Sequence, residues 1–286
     1  MAYINNLIGK YIPQKPITLA GTPKIHAIYD GITSTLATDK ASSIHLPEAF
    51  YDKKLREIID RLAYEEEFGG YSENGEMRAV GIGALMGDVV EKMVLRAEHN
   101  ERTSPDSTST DGGSNTKGHV NQDETKLWLH GSHDSTLAAV MASLGADEQI
   151  KGELRWPPYG SVLAIELFRN TKAKESSLNP RSYQSSQSLI HQSHRPISRT
   201  PASELSDIQK SHLQSYYVRL QYNNRPLAIP GCKLPGNSLD GNGSFCTLAA
   251  FKDIVDQFTP PSWQKACIEK KDNGLPDKIE PAGYAI

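Results

Sequence analysis

The first hundred residues carry apolar positions at helical spacing. Three stretches, 24–38, 51–68 and 74–100, have helix-like patterns, and few strand-like runs lie among them. In the third stretch the apolar positions recur with a mostly 3.6-residue period, although glycines at 81, 83 and 87 weaken the pattern; these positions are Val80, Leu85, Val89, Met93 and Leu95. The first third of the chain is therefore predicted to be helical.

Two polar stretches interrupt the rest of the chain. Residues 101–126 are nearly free of large apolar side chains and are rich in Ser, Thr, Gly and Asp, while residues 170–214 are rich in Ser and Gln. Such compositions bury too little apolar surface to offset the entropy lost on ordering. We predict a disordered insertion at 101–126 and a flexible surface insertion at 170–214.

The second half of the chain has strand-like patterns. A short apolar run occupies 127–129, and residues 161–168 are apolar on both faces, as in a strand covered on both sides. Residues 216–230 divide at Asn223-Asn224, which tolerate the positive φ of a tight hairpin turn. A helix over 247–258 follows, with apolar positions spaced by three and four. Layered α/β structure is therefore predicted over 127–286.

The sequence His133-Asp134 separates the run 127–129 from a predicted helix at 135–144, whose apolar stripe is Leu137, Val140, Met141 and Leu144. Unpaired N–H groups and the positive end of the dipole at a helix N-terminus favour an anion, and open α/β sheets bind ligands at the carboxyl ends of strands. A histidine there can bind or attack a phosphate, and an aspartic acid can protonate a leaving oxygen. Simple helix capping explains the same residues. The pattern alone leaves both interpretations open.

Charge and composition narrow the choice of partners. The 31 basic and 34 acidic residues give a net charge of −3 without a block of one sign, which disfavours nucleic acid as a partner. No apolar run approaches the ~20 residues of a membrane-spanning helix, and the first residues lack the pattern of a secretory signal. As written, the sequence predicts a cytoplasmic protein, in which its three cysteines are reduced thiols.

Several blocks in order resemble one enzyme family. SHDSTLAAVMASLG followed by WPPYGSVLAIELF resembles the C-terminal half of the histidine acid phosphatases, in the phosphoglycerate-mutase-like superfamily. Residues 46–93, from LPEAFYDKK to VVEKM, are similar to the helical cap of fungal members. YVRLQYNNRPLAIPGC and FCTLAAFKDIV are similar to the family's last strands and helix. The resemblance covers most of residues 29–258.

This resemblance implies a partial three-layer α/β sandwich with an α-helical cap, with residues 1–100 mainly in the cap and 127–286 in the core. It implies hydrolysis of phosphomonoesters through a phosphohistidine, without a metal or cofactor. Asp134 would be the proton donor and His133 would bind the phosphate. The block IPGCKLPGNSLDGNGSFCTL resembles a family segment whose two cysteines pair, which implies a disulfide between Cys232 and Cys246.

The family's nucleophile lies in an RHGxRxP motif, and this sequence does not contain one. Its nearest equivalents are EHNERTSP, residues 98–105, and SHRPISRTP, residues 193–201, and both match poorly. We therefore expect a truncated gene model or a degenerate copy that is a poor enzyme by itself, with a longer form that is secreted. The alternatives are a non-catalytic remnant that binds a phosphate ligand or a protein, and an interaction scaffold built on the polar insertions.

Four further residues have two interpretations each. Trp156, before Pro157-Pro158-Tyr159, either lines the substrate entrance or forms a rigid turn. Glu166 in its apolar strand needs a partner, and a structural ion pair is favoured over a catalytic role. His191 and His194 have a spacing compatible with a metal, but their Ser-rich surroundings favour solvated side chains.

Overall fold

The computed structural model describes residues 1–13, 16–38, 45–102, 125–150, 156–170, 197–269 and 280–285. The helices in these ranges are α1 (Ala2–Ile8), α2 (Ile25–Thr38), α3 (Lys53–Glu73), α4 (Gly75–Arg78), α5 (Ala84–Arg102), α6 (Asp134–Ser143), α7 (Asp207–Gln214), α8 (Leu248–Asp256) and α9 (Trp263–Glu269). A π-helical segment, Ala79–Gly83, joins α4 to α5. No described helix is both long and apolar enough to cross a membrane.

Several helices begin where a side chain satisfies one of their first N–H groups, whereas the residues that precede α1 and α6 provide no such cap. The Asp52 carboxylate accepts a 2.7 Å hydrogen bond from the N–H of Leu55 at the start of α3. Asn74 caps α4 in the same way, and Thr247 caps α8. The predicted helices 24–38 and 247–258 are confirmed, and the helix predicted over 51–68 extends to residue 73.

In the described part of the chain the sheet has five strands, and all of their pairs are antiparallel. The strands are β1 (Leu163–Arg169), β2 (Tyr216–Tyr222), β3 (Arg225–Leu227), β4 (Ser238–Leu239) and β5 (Asn242–Thr247). Their order is β1-β2-β5-β4, and β3 pairs with β2 as well. In β2 the side chains alternate between buried and half-buried, so one face of the strand enters the core. The predicted α/β class is confirmed as a mixture of helices and an antiparallel sheet.

The hairpin prediction is also confirmed. Strands β2 and β3 are joined by Asn223 and Asn224, whose φ angles are 47° and 64°. Residues 161–168 were predicted to be covered on both faces of the strand, but in the structure neither face of β1 is fully buried. Among the described strands, β1 pairs only with β2 and so lies at the edge of the sheet. Every residue of β1 is half-buried, and Val162 just before it is 62% exposed.

The strand predicted at 127–129 does not form. Leu127 and Leu129 are 70% and 84% exposed, and residues 125–133 have no regular secondary structure. A strand is stable only when a neighbour satisfies its N–H and C=O groups, and no described segment pairs with this one. The sequence predicted that His133 and Asp134 follow the carboxyl end of a strand. In the structure they follow an irregular segment instead.

The predicted insertion 170–214 needs correction at its C-terminal end. Residues 171–196 lie outside the described part, but 197–214 form two 3₁₀ turns and the helix α7. Ile197, Leu205 and Leu213 from this part are buried, and a capping box of Ser206 and Gln209 starts α7. Burial of these three apolar side chains offsets the conformational entropy that the segment loses when it becomes ordered. The polar composition of the segment had predicted that this entropy would keep it flexible. The insertion predicted at 101–126 lies almost wholly outside the described residues.

Two clusters of buried side chains form the core. The smaller cluster joins α1, α2 and the first half of α3, and contains Ile4, Ile8, Ile28 and Ile59 among others. The larger one joins the second half of α3, α5 and α6 to the sheet and α8. The Trp156 side chain packs against both. This residue therefore connects the helical first third to the rest of the protein.

Candidate active site

The site begins at the N-terminus of α6. His133 is the residue before the helix, in extended conformation with φ −78° and ψ 160°, and Asp134 is the first helical residue. From residue 138 to its end, α6 is buried, and it packs against α3 and the π-helical segment. The predicted stripe on α6 therefore meets helices, and this burial fixes the position of the exposed first turn that carries His133 and Asp134.

Both carboxylate oxygens of Asp134 accept hydrogen bonds. The backbone N–H of Ser135 donates to Oδ1 at 2.8 Å. The indole N–H of Trp156 donates to Oδ2 at 2.7 Å. Bonds of this length to a carboxylate hold it in one orientation, and each oxygen keeps a second lone pair for another group.

Trp156 is itself held between two aromatic rings. Its ring centroid lies 5.1 Å from that of Tyr29 in α2 and 5.0 Å from that of Phe68 in α3. Tilted contacts at this separation are favourable for aromatic pairs. Side chains from the helical first third thus position Asp134 through Trp156. The sequence left two interpretations of Trp156, a residue of the substrate entrance or part of a rigid turn. The structure places it at the candidate site, bonded to Asp134.

His133 presents an exposed imidazole, which makes no hydrogen bond or ion pair within the described ranges. More of the backbone N–H groups near His133 are hydrogen-bonded within the protein than the sequence predicted. The N–H of Thr136 donates to the carbonyl of His133 at 3.1 Å, and the N–H of Ser135 is taken by the Asp134 carboxylate. Fewer N–H groups are thus available to an anion than an uncapped helix would offer.

In the described part of the chain, no arginine or lysine forms an ion pair with Asp134. No group of three or more His, Cys, Asp or Glu side chains that could hold a metal occurs there either. Among the described residues, the arrangement brings together a carboxyl group and an imidazole, without an arginine bonded to Asp134 that could also bind phosphate oxygens in pairs.

The other candidates lie elsewhere. Glu166 forms the structural ion pair favoured by the sequence, with its Oε2 2.7 Å from Nε of Arg219 in the neighbouring strand. This bond is the main cause that holds the pKa of Glu166 below its usual value. His191 and His194 lie outside the described residues.

The described parts of the two segments closest to an RHGxRxP motif, residues 98–102 and 197–201, lie in a helix and in a 3₁₀ turn with the residues after it. The start of EHNERTSP, at Glu98, lies in α5, and the described part of SHRPISRTP begins with the 3₁₀ turn Ile197–Arg199. The N–H of Ile197 donates to the Glu98 carboxylate at 3.3 Å, so the two segments contact each other. This contact belongs to the packing of α5 and offers no free nucleophile.

The cysteines pair as the family resemblance implied. Cys232 and Cys246 form a disulfide with a Cα–Cα distance of 5.0 Å, and both residues are buried. Cys267 in α9 is a free, half-buried thiol. The expectation of three reduced thiols is therefore wrong for the first two.

Sequence reasoning missed Tyr29 and Phe68 as parts of the site. Each lies in a correctly predicted helix, but they are 127 and 88 residues away from Trp156 in the chain. Helical periodicity marks the buried face of a helix and does not identify the residue that will contact that face. One sequence signal did point here, because aromatic residues at buried helix positions need a large partner such as Trp156.

Comparison with known proteins shows the family. The model of the histidine phosphatase superfamily (branch 2) matches residues 36–223, which include His133, Asp134 and Trp156. A probable acid phosphatase of Schizosaccharomyces pombe is 26% identical over 92% of this chain and 51% of its own length. Two probable acid phosphatases of Dictyostelium discoideum are each 22% identical over 83% of this chain, and over 38% and 40% of their own lengths.

The chain thus spans about half of the length of the first relative and less of the other two. No solved structure matches the chain significantly. Since the matched range is more than half of the 286 residues, the chain belongs to the histidine phosphatase superfamily, branch 2.

Proposed function

We propose that this chain carries the leaving-group side of a histidine acid phosphatase site that acts on phosphomonoesters. In this proposal Asp134 is the proton donor and His133 binds the phosphate. The observation that carries it is the Asp134 carboxyl group, held by bonds from Ser135 and Trp156, next to the exposed imidazole of His133. The family match and the acid phosphatase relatives support a phosphorylated substrate.

The proposed chemistry is a transfer of the phosphoryl group to a nucleophile, followed by hydrolysis. When the nucleophile attacks phosphorus, the bond between phosphorus and the ester oxygen breaks and its electron pair stays on that oxygen. The protonated Asp134 carboxyl group donates its proton to this oxygen, so the leaving group departs as a neutral alcohol. In the second step, water attacks phosphorus, and the bond between phosphorus and the nucleophile breaks with its electron pair returning to the nucleophile. The Asp134 carboxylate accepts a proton from the attacking water, so inorganic phosphate and the protonated Asp134 are regenerated.

The helical part of the chain supports its assignment as a cap over the site. Residues 1–100 contribute the rings of Tyr29 and Phe68 that hold Trp156 against Asp134. We propose that these residues form mainly the cap and residues 127–286 the core.

The sequence favours a second candidate, a non-catalytic phosphate-binding protein. The 286 residues contain no RHGxRxP motif, and losing a nucleophile can remove nearly all of the rate advantage of a catalytic unit. In that case His133 and the start of α6 would still bind a phosphorylated ligand without turnover.

The first candidate is tested by release of inorganic phosphate from glycerol 2-phosphate by the purified chain, because its alkoxide is a poor leaving group that needs a proton. We expect Asp134→Asn to lower kcat at least about a hundredfold, because general acid catalysis contributes roughly 10²- to 10⁴-fold. Asp240→Asn is the matched control, since Asp240 is an exposed carboxylate in a turn, and it should leave kcat unchanged. Equal turnover by the wild type and Asp134→Asn would contradict the assigned role of Asp134.

The second candidate is tested by calorimetric titration with inorganic phosphate. If the wild type shows no turnover but binds phosphate, and His133→Ala weakens that binding, the non-catalytic function is supported. Absence of both turnover and phosphate binding would reject both candidates.

A further inference from the structure

A cavity of about 300 Å³ lies between α2 and α3. It is lined on the α2 side by Tyr29, Ile32, Thr33 and Leu36, and on the α3 side by Lys53, Arg56, Glu57, Ile59 and Asp60. The two helices are antiparallel here, since His26 of α2 bonds to Glu66 of α3 while the end of α2 faces the start of α3. Along α2, the cavity extends for about 10 Å, which is the rise of seven helical residues.

The interior of the cavity is mostly apolar, with the buried Asp60 carboxylate in its wall, and its mouth is charged. Ile32 and Ile59 are 5% and 1% exposed, so they form the floor. Lys53, Arg56 and Glu57 are exposed at the surface, where Lys53 and Glu57 are 3.8 Å apart. A mostly apolar pocket with a few polar groups at its edge is typical of a site for a small organic ligand.

One wall of the cavity is continuous with the candidate active site. The Tyr29 ring lines the cavity and also contacts Trp156, whose indole N–H is bonded to Asp134. The Tyr29 hydroxyl is hydrogen-bonded to Asp60 at the same end. Burial, and then the Asp60 carboxylate, raise the pKa of Tyr29 well above its usual value, so this hydroxyl stays neutral. The end of the cavity where Tyr29 contacts Trp156 is therefore aromatic and uncharged on the α2 side, and the Asp60 carboxylate lies on the α3 side.

We propose that this cavity binds the alcohol portion of the substrate, and that this portion is a two-ring aromatic group. The inference rests on the proposed function, because Asp134 must protonate the oxygen that joins the phosphate to this group. A cavity of about 150 Å³ holds a benzene molecule in another protein, so roughly twice that volume accommodates two fused rings. Tyr29 offers a ring face to the aromatic group at the end of the cavity where it contacts Trp156, the residue bonded to Asp134.

The test separates the cavity from the phosphate site with three probes. Calorimetric titration of the full chain would use 2-naphthol, inorganic phosphate and 2-naphthylmethylphosphonate, whose carbon–phosphorus bond is not hydrolysed. Phenylmethylphosphonate serves as the single-ring comparison. We expect it to bind about tenfold more weakly than the naphthyl compound, because the second ring buries further apolar surface.

Two variants of the same helix provide the matched comparison. Thr33→Trp places an indole in the cavity, whereas Ser34→Trp adds the same side chain at the exposed next residue. Thr33→Trp should weaken 2-naphthol and the naphthyl phosphonate at least about tenfold and leave inorganic phosphate unchanged, while Ser34→Trp should change all three less than twofold. Circular dichroism monitors folding, and Leu36→Phe fills the cavity less severely if Thr33→Trp does not fold.

The outcomes distinguish the two proposals. If inorganic phosphate binds but 2-naphthol does not, or if Thr33→Trp has no more effect than Ser34→Trp, the cavity proposal is overturned and the proposed function stands. The other outcome is that 2-naphthol binds in the cavity, inorganic phosphate does not bind, and the naphthyl phosphonate binds no more tightly than 2-naphthol. In that case the proposed function fails, and the cavity is not a substrate site.

Discussion

Replacing Trp156 should show that one side chain packs against both cores and positions the Asp134 carboxyl group of the candidate site. The Trp156 ring packs against both buried clusters, lies between Tyr29 and Phe68, and donates its N–H to Asp134. Truncating a buried Trp to Ala costs roughly 3–5 kcal/mol. Since Trp156 is only partly buried, we expect Trp156→Ala to lower the free energy of unfolding by about 3 kcal/mol.

Trp156→Phe separates packing from hydrogen bonding. It keeps a ring between its aromatic neighbours but removes the N–H, so we expect a loss of about 1 kcal/mol, the usual net value of one hydrogen bond, with some further loss from the smaller ring. Tyr159→Ala is the control, because Tyr159 is in the same turn and 74% exposed; it should change stability by less than about 0.5 kcal/mol.

Urea unfolding followed by far-ultraviolet circular dichroism measures these differences. The Ala variant should also unfold over a wider range of urea concentration, since the cluster of α1, α2 and the start of α3 loses a connection to the larger cluster. A loss below about 1 kcal/mol for Trp156→Ala, with an unchanged transition width, would refute the role given to Trp156 as a link between the clusters.

Two further predictions concern the sheet. Replacing Cys232 and Cys246 by Ser should lower the free energy of unfolding by about 3 kcal/mol, because their bond closes a loop with a sequence separation of 14 residues; equal urea midpoints with and without a reducing agent would contradict this. Glu166→Gln should reduce the loss of stability in acid. The pKa of Glu166 is lowered in the fold by its bond to Arg219, so the pair stabilises the protein above the unfolded value of 4.5 and this contribution is lost as pH falls below it. Urea midpoints at several pH values would measure the effect, and parallel pH curves for both proteins would exclude it.

The local elements could be predicted because their causes are local. Each helix of the first third has a continuous buried stripe, such as Leu55, Ile59 and Phe68 in α3, and periodicity reveals such a stripe without any knowledge of its partner. The hairpin between β2 and β3 depends on positive φ at Asn223 and Asn224, a property of the residues themselves.

The errors concern elements that need a distant partner. Leu127 and Leu129 have the composition of a strand, but composition does not create the neighbour whose backbone groups a strand requires. Residues 197–214 have polar surroundings, yet three apolar side chains suffice to dock them on the larger cluster. In both cases the outcome depends on tertiary contacts that the sequence does not encode locally.

The candidate site combines a feature that is visible in the local sequence with contacts from distant parts of the chain. The order His133-Asp134 followed by a helix is visible in the sequence, and capping explains it as well as catalysis does. The structure adds what a cap does not require, because a capping carboxylate needs only backbone N–H groups, whereas Asp134 also accepts a bond from the indole of Trp156. That indole is held by rings from two helices of the first third. Supporting an exposed carboxyl group from so far away in the chain is typical of a functional site, where the orientation of one group must be fixed.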